Sequence, residues 1–77
     1  MTKQEFLKNF EALLELDSGT LRDDQELASL SAWDSLAVIG FIAMMDEHFG
    51  LSFSSQKINE AKSVRDLMAL AGDRISA

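Results

Sequence analysis

Apolar positions recur at helical spacing from the start of the chain. Phe6, Phe10, Leu13 and Leu14 stand three and four residues apart, with Ala12 beside them. Lys3, Lys8, Glu11 and Glu15 fall between them, on the side expected to face water. Thr2 and Glu5 have the spacing of a capping box, in which the hydroxyl serves the amide three residues on and the carboxylate reaches back. The pattern predicts a first helix over about residues 3–16. It is expected to close at Asp17-Ser18-Gly19-Thr20, where Gly19 suits the left-handed turn that ends a helix.

A long connection over about residues 17–33 follows. In a small domain such a loop is expected to be functional or pinned. Leu21, Leu27, Leu30 and Ala28 are spaced to pin it to a core, with Asp23, Asp24 and Glu26 left outside, and a short helical turn is predicted near 24–29. A second helix is predicted over 35–49, ending at Gly50. Leu51-Ser52-Phe53 reads as a short extended link with Phe53 turned inward. Ser54 or Ser55 caps a short third helix that runs to about Ala61 around Ile58. Ser63 and Asp66 start a last helix whose apolar stripe is Val64, Leu67, Met68, Ala71 and Ile75.

The second helix is apolar on more than one side. At ~3.6 residues per turn, Val38, Phe41, Ile42, Met45 and Phe49 share one face, the expected core stripe. Leu36, Ile39, Gly40, Ala43 and Met44 lie opposite, with Ala37 at the margin. Asp46, Glu47 and His48 bring polarity only near the end. A helix apolar nearly all round is either enclosed or meets a partner, and a chain this small has little to enclose it with. Trp33, Leu36, Ile39, Gly40, Ala43, Met44 and Glu47 are therefore the candidate partner-binding residues. Two alternatives stay open: a long loop folded back over Leu36 and Ile39, and Trp33 as a loop residue lying on Leu30 or Phe53.

Composition narrows the class. The chain has 77 residues, no proline, four glycines and a hydrophobic fraction of 47%, which suits one small all-α domain over residues 1–77. It has no cysteine, which excludes a disulfide framework and makes a reducing, cytoplasmic location the default expectation. No charged n-region with an apolar h-region opens the chain, and no apolar run is long enough to span a bilayer, so neither a signal peptide nor a membrane span is expected. The net charge is −6 and uneven. Residues 1–47 hold ten acids against three bases, and residues 48–77 hold three acids against four bases. An acidic front argues against nucleic acid and for a protein partner with a basic surface.

Candidate chemistry centres on one serine. Asp34 is placed to cap the second helix, and Ser35 sits in its first turn, where free amides and the positive end of the helix dipole suit an anion such as a phosphodiester. Trp33-Asp34-Ser35-Leu36 also has some likeness to the Gly-Asp-Ser-Leu block of a serine hydrolase family. The glycine is missing, however, and His48 lies about 20 Å along the same helix, so no base reaches the serine. The acidic loop lacks calcium ligands, since Gly19 and Leu21 stand where they are required after Asp17. No metal site and no catalytic residues are expected.

Taken together, the capped first helix, the long loop, Asp34-Ser35-Leu36, the apolar helix ending Asp46-Glu47-His48-Phe49-Gly50, and Ser63-Val64-Arg65-Asp66-Leu67 resemble the acyl carrier protein family over essentially the whole chain. The resemblance implies a monomeric four-helix bundle with a long loop between its first two helices and a short third helix. It implies 4′-phosphopantetheine on Ser35, with Asp34 and Leu36 in the attachment signature, installed by a phosphopantetheinyl transferase. The partners implied are a loading ligase, synthase or acyltransferase of fatty acid, polyketide or other specialised biosynthesis, and the chain itself is no enzyme. Two departures from general fatty-acid carriers, Trp33 before the signature and Ala37 and Gly40 where acids are usual, point to a specialised member. Lys57, Lys62 and Arg65 near the third helix also break the all-acidic pattern, with a second partner or simple charge balance as the two open readings. The rival expectation is an unmodified helical adaptor that uses the same apolar face of the second helix.

Overall fold

Two helices open on capping boxes, the first as predicted and the last in addition. At the start of the chain, the Glu5 amide donates to Thr2 Oγ1 at 3.1 Å and the Thr2 amide donates to Glu5 Oε1 at 2.8 Å. At the last helix, Asp66 N donates to Ser63 Oγ at 3.3 Å, and Asp66 Oδ2 accepts from the amides of Ser63 and Lys62 at 3.1 and 3.0 Å. The computed structural model describes residues 1–75. Among them are four α-helices: α1 (Lys3–Leu13), α2 (Ser35–Phe49), α3 (Ser55–Asn59) and α4 (Val64–Ala71). One 3₁₀ turn, Leu27–Ser29, falls in the long connection as expected, and another, Gly72–Arg74, follows α4.

α1 is shorter than its periodicity predicts, and Gly19 does not close it. Glu15 takes the left-handed conformation, with φ of 59°. The Leu16 amide then bonds the Glu11 carbonyl at 2.8 Å, and the Glu15 amide bonds that of Ala12 at 3.2 Å. This is the paired arrangement of a Schellman stop, built here without glycine. The tighter stop turns the chain back early, which brings the following loop over Glu11.

Glu11 is therefore not on the wet side. It is 4% exposed, and its Oε2 accepts from the amides of Gly19 at 3.0 Å and Leu21 at 2.8 Å. A carboxylate so enclosed is tolerable because those two donors replace water. Three backbone bonds fix the other end of the loop to the approach of α4: Leu27 N to Lys62 O, Val64 N to Gln25 O, and Arg65 N to Asp23 O, at 2.9, 3.0 and 2.8 Å. Leu21 and Leu27 are buried and Leu30 is half-buried, as expected, while Ala28 is exposed. The long connection is thus pinned by side chains, by a buried carboxylate and by backbone bonds.

The core is filled from every helix. Phe6, Phe10, Phe41, Met45, Ile58, Val64 and Leu67 are its largest fully buried side chains. Ring centroids of Phe10 and Phe41 lie 5.3 Å apart, and Phe6 is 6.0 Å from each. α3 ends at Asn59 rather than near Ala61, and Ile75 lies beyond α4, after the 3₁₀ turn, although it still packs on the core half-buried.

Candidate functional site

α2 begins where Asp34 sets it. The Asp34 side chain accepts from the Ala37 amide at 2.9 Å, and its carbonyl accepts from Val38 at 3.0 Å. The helix ends at Gly50, as predicted, and Gly50 takes the left-handed conformation with φ of 66°. Ser35 is the first helical residue and is exposed. The amides of Ser35 and Leu36 have no carbonyl a turn earlier to bond, so they remain available beside the Ser35 hydroxyl at the positive end of the helix. An exposed hydroxyl next to two open amides fits a phosphodiester on Ser35. The nearest acid, Asp34, has an oxygen tied to the helix.

The structure separates the residues proposed for partner contact. Leu36 and Ile39 stand 76% and 62% exposed, and Ala43 and Glu47 are exposed on the same side of α2. No loop folds over the first two. Met44, placed on this face by the sequence, is instead 9% exposed and belongs to the core. The buried sector is wide enough to take it because Ala37 and Met44 both turn toward the interior of the bundle, flanking Phe41. Gly40 is also displaced from the open face. A Cβ there would lie 2.7 Å from Leu13 Cδ1, so the Leu13 side chain of α1 lies against Gly40. Small size at 40 serves contact inside the bundle.

Trp33 is half-buried: its amide donates to the Leu30 carbonyl at 3.1 Å and its side chain packs against the core. Its ring meets Phe10 edge-on at 5.5 Å and Phe41 at 6.0 Å. Its remaining surface lines a groove of about 430 Å³ beside the serine, with Asp34, Ser35, Val38, Ile39, Ser55 and Asn59. Ser55 and Asn59 are additions that the sequence does not signal. They reach the serine only because α3 packs against α2, and no local pattern encodes that meeting.

Two of the four basic residues of the second half are paired. Lys57 Nζ lies 3.9 Å from Glu60, and Arg65 lies 3.4 Å from Asp23, which also bonds Lys3 Nζ at 2.6 Å. His48 is exposed near the end of α2. Among the described residues no group of His, Cys, Asp and Glu is placed to hold a metal, and no helix is long and apolar enough to cross a membrane.

The family comparison bears directly on this corner. A family model described as a phosphopantetheine attachment site matches residues 4–71. No curated protein and no solved structure matches the chain. The match takes in all four helices and the Asp34-Ser35-Leu36 corner, and the all-α, four-helix architecture agrees with it. The chain belongs to the acyl carrier protein family of phosphopantetheine attachment domains.

Proposed function

We propose that Ser35 is the residue that bears 4′-phosphopantetheine, and that the chain is a specialised acyl carrier protein. The observation that carries this reading is an exposed serine at the first position of α2, capped by Asp34 and lying inside the family match. When bound, the arm supplies a terminal thiol on which an acyl or aminoacyl cargo is held as a thioester. The chain's own residues hold and present it. Asp34 fixes the helix start, and the Ser35 and Leu36 amides would hold the phosphate of the bound arm. The chain catalyses nothing. A phosphopantetheinyl transferase loads it, and a ligase, synthase or acyltransferase exchanges its cargo.

Support for a specialised pathway comes from the face next to the serine. Leu36, Ile39 and Ala43 form an exposed apolar strip, with Asp34 beside its start and Asp46 and Glu47 at its far end. With Trp33 at its edge, this strip suits partners that dock by apolar contact, with charge guiding only its two ends. Gly40 and Met44 have no part in that surface.

The test is intact mass after incubation with coenzyme A, magnesium and a broad-specificity transferase. One phosphopantetheinyl group is expected on the wild-type chain and none on Ser35→Ala. A folded chain that gains no mass with several transferases would leave the unmodified adaptor as the better reading.

A further inference from the structure

Trp33 occupies the junction between the attachment corner and the core. Its inner edge rests on Phe10 and Phe41, both fully buried and in contact with each other. Its outer part lines two surface grooves. One is the groove beside Ser35, walled by Val38 and Ile39 with Ser55 and Asn59 at α3. The other, of about 520 Å³, lies between Leu27 and Ala28 on one side and Ala61, Lys62 and Ser63 on the other.

A group carried on Ser35 meets this indole two residues before its own attachment point. To pass into the core at this corner it must part the indole from two rings and uncover Phe10 and Phe41. Protein interiors are close-packed, so that space does not exist until a ring moves. The groove between α2 and α3 requires no such movement. Val38 and Ile39 offer apolar walls there, and Ser55 and Asn59 offer polar groups to a cargo or to the arm's amides.

We propose that Trp33 keeps the group carried on Ser35 in the surface groove between α2 and α3 and out of the aromatic core. The inference rests on the carrier reading of Ser35. It makes residue 33 a specificity determinant: a bulky ring there favours short or polar cargo, and a small residue opens the core to long alkyl chains.

The experiment loads the full chain from octanoyl-coenzyme A with magnesium and a broad-specificity transferase, with intact mass checked first. Amide and methyl spectra and Tm are then compared with the chain loaded from coenzyme A alone. In the wild type, the octanoyl group is expected to shift Ile39, Ser55 and Asn59, to leave Phe41, Met45 and Leu67 in place, and to change Tm by about 1 °C or less. In Trp33→Ala the shifts should move to Phe41, Met45 and Leu67, and Tm should rise by roughly 4 °C or more over the same variant without the octanoyl group. Octanoyl-induced shifts at Met45 and Leu67 in the wild type would overturn the proposal. So would a Trp33→Ala chain that responds as the wild type does. If Trp33→Ala does not fold, Trp33→Leu replaces it, and the wild-type spectra alone still decide. Failure to gain mass at Ser35 defeats the carrier reading and this proposal with it, whereas a loaded chain with core shifts defeats the proposal alone.

Discussion

Glu11 shows how one side chain can hold a loop. Its Oε2 accepts from the amides of Gly19 and Leu21, the second of them in a buried setting. Glu11→Ala leaves both donors without that partner, the Leu21 amide in a buried setting and the Gly19 amide beside a surface groove that water reaches. Leaving a buried donor unsatisfied costs about 1–3 kcal/mol, so a loss of roughly 1–3 kcal/mol is expected, nearly all of it at Leu21. For a chain of this size that is a large share of the total, which lies on the order of 4–12 kcal/mol. Glu11→Gln retains an oxygen acceptor at the same reach and is expected to lose less than half as much. Urea denaturation of the three proteins checks the order. Equal losses in Glu11→Ala and Glu11→Gln would show that the amides do not depend on that oxygen. The residue reads as a surface acid in the sequence because its position depends on where α1 stops. That stop rests on Glu15 in a left-handed conformation, which its residue type does not announce.

α2 carries the bundle and the candidate surface on opposite sides. Much of this was legible in advance. Asp34, Gly50 and the Thr2–Glu5 and Ser63–Asp66 boxes fix helix ends by local chemistry, and Val38, Phe41 and Met45 fix the core stripe by period. The width of the buried sector was not legible, because it depends on which neighbours lie across from Ala37, Gly40 and Met44. Projection alone gives no crossing point for α1, so Gly40 looks open when Leu13 in fact lies against it. The two faces therefore separate by substitution. Gly40→Glu pushes aside the end of the Leu13 side chain and is expected to destabilise by roughly 1–2 kcal/mol through overpacking. Ile39→Glu adds its charge on a side chain that is already mostly in water and is expected to change stability by less than about 0.5 kcal/mol. If the strip is where partners dock, Ile39→Glu should still raise the KM for transferase loading roughly tenfold, the loss of a contact worth about 1.4 kcal/mol. Thermal melts and loading kinetics on the two variants decide this. Unchanged loading kinetics in Ile39→Glu would remove Ile39 from the contact surface.

The molecule as a whole is held at points where distant segments share a carboxylate, and this sets its response to acid. Asp23 joins α1, the long connection and α4 through Lys3 and Arg65, and the hydrogen bond from Lys3 holds its carboxyl below the ordinary value of 3.8. Asp66 is held low first by the Lys62 amide and then by that of Ser63, and Glu5 by the Thr2 amide. In each case the fold favours the charged form. The stability they contribute is therefore fully present above the unfolded-state values, 3.8 for Asp and 4.5 for Glu, and is lost as pH falls through the lower folded values. Protonation relieves the self-repulsion of a chain at net charge −6 only down to its pI of about 4.5, below which the Lys and Arg charges go unbalanced and repulsion grows again. Single variants separate the two effects, because the repulsion is nearly common to variant and wild type. Asp66→Asn and Asp23→Asn should be less stable than wild type at pH 6, and the difference should shrink toward pH 2. Salt then distinguishes them. The Asp23 partners are largely exposed side-chain charges, so 1 M NaCl should narrow its difference at pH 6. Asp66 bonds backbone amides at close range, and its difference should persist in the same salt. Urea midpoints across pH and salt measure both. A difference between Asp66→Asn and wild type that stays constant from pH 6 to pH 2 would show that its charge does not hold the start of α4.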